Sequence, residues 1–436
     1  MSWPVALVLL LGMLLFMMAL GMPVVFAFFG VNLLGALIFL GGGAGVEQLV
    51  RNVSSSVASF ALVPIPLFIF MGEMMFHSGM AHKAIDAIDR LIYRIPGRLS
   101  IVAVIGGTIF AALSGSTMAN TAMLGSTLLP EMRRRGYDRT IAMGPILGTG
   151  GIAMLIPPSG LAVLLASLAK IPIADLLIAG IVPGLIFAAL FFAYIVARCT
   201  ANPKLAPSEA RAAEPLAARL RPFLVYVVPL LSIFVVVVGG ILAGVATPSE
   251  SAALGSVAAV IAAAAYRRLT WKSFLTATRE TAKISVMIFF IASASLTFAQ
   301  ILAFSGATQG LLEQLRGLHL GPTQLVAGML LILLFMGCFL DQLSMMLITL
   351  PFFMPLAQLL GLDLVWFGMM MLLVLEISFT TPPFGMLLFV MKGVAPDVTM
   401  RDIYLAAAPF IALELLGLVL MFVYPPLVTW LPALLH

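Results

Sequence analysis

At 436 residues, 62% hydrophobic and only 9% charged, with a mean hydropathy of +1.16, the chain lies far from the roughly 25% charged content of a soluble domain. It reads as an all-α polytopic membrane protein, with room for about ten spans of about 20 residues and some shorter elements. The net charge of +5 comes from arginines in short loops rather than a nucleic-acid face. The two cysteines, Cys199 and Cys338, make neither a disulfide framework nor a metal pattern.

In chain order, Met1–Leu20 and Pro23–Leu40 read as two spans joined by the turn Gly21-Met22. The first lacks a basic leader and a small-residue cleavage site, and so resembles a span more than a signal peptide. Gly41 to Ser56 reads as a short polar stretch. Its glycine run has no following Lys and no flanking strand, so it is a flexible turn rather than a phosphate loop. Phe60–Phe76 is a third span and carries Glu73. Ala81–Ile95 sets Ala81, Ala84, Ile85, Ile88, Leu91 and Ile92 against His82, Lys83, Asp86, Asp89, Arg90 and Arg94, the pattern of an amphipathic helix lying on the cytoplasmic surface.

Leu99–Met132 contains a single ionisable residue, Glu131. It is too short to cross a bilayer twice, which takes roughly 40 apolar residues. Lys83, Arg90, Arg94 and Arg98 precede it, and Arg133, Arg134, Arg135 and Arg139 follow. Such clusters mark the cytoplasmic side, so both ends sit there and the segment reads as a re-entrant hairpin. Its tip is Ser114-Gly115-Ser116-Thr117, with Asn120 just beyond. Polar backbone at that depth persists only where it is buried in protein or lines a watery site. A single tilted helix with a Gly/Ser packing face is the alternative, and it would leave one arginine cluster outside. Ile141–Lys170 is interrupted at Gly148–Gly151 and at Pro157-Pro158-Ser159-Gly160. Consecutive prolines remove donors and clash with the preceding turn, so this span is discontinuous. Leu176–Val196 is a span, and Thr200–Pro222 is a hydrophilic cytoplasmic linker carrying Lys204, Arg211, Arg219 and Arg221.

The second half echoes the first. Pro23 and Gly30 pair with Pro248 and Gly255, Ser78-Gly79 with Ser305-Gly306, Gly115 with Gly337, and Asn120 with Asp341. Pro130 pairs with Pro351, Pro157-Pro158 with Pro382-Pro383, and Pro183 with Pro409. The chain therefore divides into a first repeat over 1–198 (hairpin 99–132, broken helix 141–170), a linker over 199–222 and a second repeat over 223–436 (hairpin 321–355, broken helix 364–392). Five crossings plus a hairpin per half is an odd number, which inverts the second copy. Arg267, Arg268, Lys272, Arg279 and Lys283 then form a cytoplasmic loop, and the second hairpin enters from outside. Inverted repeats with hairpins and broken helices mark secondary transporters with a midplane site. Two sites follow by symmetry: the first tip with the first break, and Gly337–Ser344 with Thr380-Thr381-Pro382-Pro383. Half-helix N-termini suit a carboxylate, while hydroxyl, amide and carbonyl oxygens suit a hard monovalent cation. Asp341 is the one acid in its tip and a functional candidate by default, serving either as a cation ligand or as a local helix cap. Glu73, Glu376 and Glu414 are weaker candidates. With no ATP motif, the energy comes from an ion gradient or a partner. An intramembrane hydrolase would need a base near Ser114 or Ser116, and none is evident. A channel fits two broken-helix sites less well than alternating access.

Six motifs are similar to the large, DctM-type membrane subunit of tripartite ATP-independent periplasmic (TRAP) transporters. They are Gly21-Met22-Pro23-Val24, Pro66–Glu73, Leu113–Asn120, Leu155–Ser159, Thr247–Ser251 and Thr381–Gly385. The resemblance implies an ion-transporter-superfamily fold of elevator type in a bacterial inner membrane. It also implies a small four-helix membrane partner of DctQ type and a periplasmic binding protein of DctP type that delivers an organic acid. Sodium ions would be the coupling ions, with no other cofactor, no enzymatic activity and no nucleic-acid partner. Carried onto this chain, the first sodium site would use Ser114, Ser116, Asn120 and carbonyls near Ala153 and Pro158. The second would use Gly337, Asp341, Thr380 and Thr381. The substrate would meet Ser116, Pro158, Ser159 and Pro383. Thr117 stands where the family's tip often has Ser, and Ala153 where Gly is usual. A stand-alone sodium- or proton-coupled dicarboxylate or citrate symporter of the same fold is the alternative.

Overall fold

The computed structural model describes residues 1–92, 95–207, 215–317 and 320–434, with the backbone alone at 113, 114 and 316. Every regular element among them is helical. Six helices are long and apolar enough to cross a membrane: Phe60–His77, Ile173–Ala201, Pro248–Ala265, Trp271–Phe304, Gln342–Leu359 and Met400–Val423. A bent pair, Leu216–Tyr226 with Val228–Leu242, makes a seventh. Shorter apolar helices, such as Trp3–Ala19, Val24–Phe39 and Leu364–Thr380, fill the space between them.

The helices form two packed groups. In one, which we call the scaffold, Pro64–His77 lies against Pro248–Ala265 and Trp271–Phe304, and Val24–Phe39 and Gly43–Val57 also pack on the latter. In the other, the core, two hairpins surround two broken helices. Arg98–Ser114 and Thr117–Arg134 form the first hairpin, and both arms pack on Arg139–Ile152. Pro322–Met336 and Gln342–Leu359 form the second, and both arms pack on Leu364–Thr380. Each broken helix resumes after an irregular stretch, as Gly160–Ala169 and as Met386–Val394. Met400–Val423 joins the two broken helices across the core.

Local chemistry sets the boundaries. Thr247 accepts from the Glu250 amide while the Glu250 carboxylate accepts from the Thr247 amide at 2.7 Å, with Pro248 in the first turn. That reciprocal cap and a proline whose absent N–H is not missed define a helix start. The break at 153–159 is packed on all sides. A Cβ on Gly180 would lie 2.0 Å from the Leu155 carbonyl, so only glycine lets the next helix approach this unwound backbone.

Several elements differ from their sequence reading. The turn read at Gly41–Gly45 is shorter than that, and the polar stretch up to Ser56 is helical. Gly41 and Gly42 take positive φ, and Gly43–Val57 is then a helix whose Asn52 donates to Gln300 at 2.6 Å. The amphipathic segment is Met80–Leu91; its apolar residues are buried, Ile85 and Ile88 beside Gly106 of Arg98–Ser114, and Leu216–Tyr226 also packs on the helix. Within the linker, Ile181–Ala201 extends into its start and Leu216–Tyr226 begins before its end. Arg219 there donates to the Arg90 carbonyl at 3.0 Å, and Lys83 lies 4.9 Å from the Tyr226 ring. Arg94 and Arg211 lie outside the described residues. Lys272, Arg279 and Lys283 are not in a loop: they occupy the first part of the 34-residue helix Trp271–Phe304. At 1.5 Å per residue that helix is about 51 Å long, well beyond a hydrocarbon core of about 30 Å, so its charged end has room outside the apolar layer.

Two ion pairs tie the first-hairpin side of the core to its C-terminal side. Arg133 grips Asp397 through both guanidinium nitrogens, one contact at 3.0 Å, and Arg139 reaches Asp402 at 2.6 Å. Hydrogen bonds from Arg133 hold Asp397 below the usual carboxylate range. A depressed carboxylate contributes stability above its unfolded pKa and loses it as pH falls through the folded value. The melting difference between wild type and Arg133→Ala is therefore expected to stay level from pH 7 down to about pH 4 and to shrink below that. Added salt should reduce it at every pH. A difference that grows in acid, measured by thermal unfolding in detergent, would contradict this.

Candidate functional site

A cavity of about 490 Å³ lies between the two helix groups. On the core side its wall is made by both hairpin tips, Gly115–Met118 and Asp341–Ser344, with Met154, Gly160 and Leu161 from the first broken helix and Phe379 and Met386 from the second. Four helices begin here: Thr117–Arg134, Gly160–Ala169, Gln342–Leu359 and Met386–Val394. Each N-terminus carries partial positive charge from its aligned peptide dipoles. The scaffold wall is Pro23, Val24, Val25, Ile69 and Glu73, with the face of Trp271–Phe304 that runs from Ile284 to Ile291.

Three of the polar residues singled out at the tips and the first break are helix caps. Ser116 accepts from the Ala119 amide at 3.3 Å, Ser159 from Ala162 at 3.2 Å, and Asp341 from Ser344 at 3.1 Å. The Ser344 hydroxyl also donates to Asp341, so the local-cap alternative for this carboxylate is realised in the structure. A cap uses only part of a carboxylate's lone-pair capacity, and Asp341 still lines the cavity.

Each tip meets its break. A Cβ on Gly115, which has φ +57°, would stand 2.5 Å from the Pro158 carbonyl, and one on Gly337 would stand 2.0 Å from Ser378 Cβ. Asn120 is fully buried and its amide donates at 3.2 Å both to Gly107 of the hairpin and to Thr149 at the end of Arg139–Ile152. Its carbonyl oxygen Oδ1 has no hydrogen-bond partner, and neither does the buried Thr121 hydroxyl. A buried amide oxygen without a donor is costly, and a cation would satisfy it. The Ser114 side chain lies outside the described residues. Ala153 and Pro158 are buried in the break. In the second pair of elements, Thr380 donates to the Ile377 carbonyl at 2.9 Å and Thr381 donates to the same carbonyl at 2.7 Å. Both hydroxyls keep lone pairs for a cation but have their protons committed to the helix end. Of the residues assigned to substrate, Ser116 lines the cavity, whereas Pro158, Ser159 and Pro383 are not part of its wall. Ser159 is buried as a cap, and the Pro383 carbonyl accepts from Tyr404 at 2.9 Å.

Sequence reasoning missed the scaffold face at Ile284–Ile291, which looks like any apolar span, and Gln342, which bridges tip and break. Gln342 lines the cavity and donates to the Leu375 carbonyl at 3.3 Å and to Glu376 at 3.4 Å. Glu376 and Glu414 are both buried, and the Glu414 carboxylate lies 3.4 Å from the Thr380 hydroxyl. Glu73 pairs with His77 one turn on, at 3.2 Å.

Replacing Gly115 by Ala puts a side chain both in the left-handed region and against a carbonyl. Strained backbone of this kind costs about 1–3 kcal/mol. A clear drop in the melting temperature of Gly115→Ala is expected, and an unchanged melt would show that the tip-to-break contact is loose.

Two helical hairpins and two broken helices gathered around one cavity define a polytopic membrane protein with a single central site among the described residues. Residues 11–427 match the family described as the tripartite ATP-independent periplasmic transporter, DctM component, and the chain belongs to that family. It is 32% identical to the C4-dicarboxylate TRAP transporter large permease protein of Pseudomonas aeruginosa, with 92% of each chain covered. It is 30% identical to the ectoine/5-hydroxyectoine large permease protein of Ruegeria pomeroyi (94% of each) and 28% identical to the sialic acid large permease protein of Vibrio cholerae (95% of each). Among solved structures, the Alcanivorax borkumensis YdaH transporter superposes with a TM-score of 0.59 over 88% of this chain and 90% of that one, at 16% identity. That likeness concerns the fold.

Proposed function

We propose that this chain is the sodium-coupled translocating subunit of an organic-acid importer in a bacterial inner membrane. In this reading a small four-helix membrane subunit accompanies it and a periplasmic binding protein delivers the solute. The observation that carries the reading is the convergence of both hairpin tips and both breaks on one cavity, with four helix N-termini opening onto it. Those N-termini supply the positive potential that an isolated carboxylate needs in an apolar layer. The oxygens of Asn120 and Asp341, with the carbonyls at the breaks, supply the ligands that a sodium ion needs. The two halves of the chain act as inverted repeats, and the core group moves against the scaffold group like an elevator, carrying the cavity from one face to the other. The relatives' names cover dicarboxylate, ectoine, sialic acid and isethionate, so the particular acid is set by cavity detail and by the delivering protein.

The test is uptake into proteoliposomes that contain the chain with its two partners. Accumulation of labelled acid is expected under an inward sodium gradient and not under an inward proton gradient alone. Uptake that follows the proton gradient without sodium would overturn the coupling, and uptake by the chain without partners would favour a stand-alone symporter.

A further inference from the structure

Two carboxylates lie inside the core, behind the cavity wall. Glu376 stands in the second broken helix, Leu364–Thr380, and Glu414 in Met400–Val423, and they are only 3% and 4% exposed. Among the described residues neither forms an ion pair. One oxygen of each faces a polar neighbour: Glu376 Oε2 accepts from Gln342 at 3.4 Å, and Glu414 Oε2 lies 3.4 Å from the Thr380 hydroxyl. The other two oxygens converge on the backbone of the first broken helix. A Cβ on Gly151 would stand 3.0 Å from Glu414 Oε1 and 3.5 Å from Glu376 Oε1, so both face one point that any other residue at 151 would fill. Glu376 Oε1 has no hydrogen-bond partner. Burying a carboxylate without a partner is far more costly than burying a neutral polar group, and two side by side call for a counter-charge.

We propose that Glu376 and Glu414 hold a monovalent metal cation of sodium size at the point that Gly151 leaves open, a third site apart from the two at the hairpin tips. An alkali cation fits better than a divalent one. Calcium takes about six to eight oxygen ligands and magnesium a near-ideal octahedral set, whereas no group of three or more His, Cys, Asp or Glu side chains is gathered among the described residues. The ion has a short route in, because Gln342, which donates to Glu376, also lines the cavity, as does Thr117, a second neighbour of Glu376. The consequence is mechanical. Gly151, Glu376 and Glu414 belong to the first broken helix, the second broken helix and the helix that joins them. A bound cation draws the two carboxylates together, whereas without it like charges push them apart in a medium that screens them poorly. The packing of the core is therefore tied to cation occupancy at a place that touches neither solute nor lipid.

The experiment counts labelled sodium bound per purified full-length chain in nanodiscs at neutral pH, with choline as the replacement cation. Glu376→Gln and Glu414→Gln are each expected to bind one ion fewer than wild type. Gly151→Ala, which sets a methyl group at the site, should lose the same ion. Glu376→Asp keeps the charge and should keep the ion at lower affinity, which separates a lost ligand from a misfolded core. Asp341→Asn tests whether the sites are separate: it should lose one ion at the second hairpin, and Asp341→Asn combined with Glu376→Gln should lose two. Glutamine variants that bind as much sodium as wild type overturn the proposal, because protons then neutralise the pair. A combined variant that loses only one ion overturns it as well, because the pair is then part of the second hairpin site. The coupling reading above fails separately, if Asp341→Asn binds as much sodium as wild type while Glu376→Gln loses an ion.

Discussion

Asp341→Asn is expected to abolish sodium-driven uptake while leaving the fold almost untouched. The side chain has two jobs that one substitution can pull apart. As the N-cap of Gln342–Leu359 it accepts from the Ser344 amide at 3.1 Å, and asparagine caps a helix about as well as aspartate does. As a cation ligand it supplies a full negative charge at the cavity wall, which asparagine cannot. Because Asp341 is only partly buried, losing its charge is expected to weaken sodium binding by about 1.5–3 kcal/mol, the range of a hydrogen bond to a charged group, or roughly one to two orders of magnitude at 1.4 kcal/mol per factor of ten. Asp341→Ala removes both jobs, and its melting temperature should also fall, by an amount corresponding to about 1 kcal/mol for the lost cap. The measurement is paired: sodium titration of the melt and uptake in proteoliposomes for both variants. If Asp341→Asn transports normally, the carboxylate is only a cap and the second ion site must be assembled without it.

How legible was this arrangement in the sequence? The helix interruptions between Ser114 and Thr117 and between Met336 and Gln342 are legible because a Gly/Ser/Thr tip inside an uncharged stretch conflicts with one continuous span. The breaks were readable because no helix passes through Pro157-Pro158 or Pro382-Pro383 intact. Elements whose character depends on distant partners were not readable. Met80–Leu91 has the period of a lipid-surface helix, but its apolar Ile85 and Ile88 lie beside Gly106 of Arg98–Ser114, and Leu216–Tyr226, part of which reads as hydrophilic linker, packs on it as well. Gly43–Val57 looks like a polar loop until Gln300, from the other half of the chain, supplies a partner for Asn52. At the site, residue type indicated oxygen donors and could not say how each was already engaged. Ser159 turns inward as a cap, Thr380 and Thr381 bond back to Ile377, and Glu73 faces the cavity from the scaffold side. Those are properties of rotamers and neighbours, which no spacing rule reports.

Gly337→Ala is the second large effect, and it probes the junction of the second tip with its break. Gly337 has φ −67°, an ordinary helical value, so alanine brings no backbone strain and the cost is purely one of space. The added Cβ would lie 2.0 Å from Ser378 Cβ and 2.3 Å from its hydroxyl, distances that force one helix away from the other. Overpacking of this kind costs about 1–3 kcal/mol and sometimes more. Here the yielding element is Leu364–Thr380, whose end carries Thr380 and Thr381. Gly337→Ala is therefore expected to lower the melting temperature and also to weaken sodium binding, because the carbonyls and hydroxyls at that end shift with the helix. Steric origin has its own test: Ser378→Gly removes the Cβ that the new methyl group strikes. The double variant should recover much of the lost stability and sodium response, even though Ser378→Gly alone is mildly destabilising as a glycine inside a helix, by about 1 kcal/mol. Such a positive coupling between neighbours is the expected signature of direct contact. If the two changes simply add, the tip and the break are held together by something other than the Gly337–Ser378 contact.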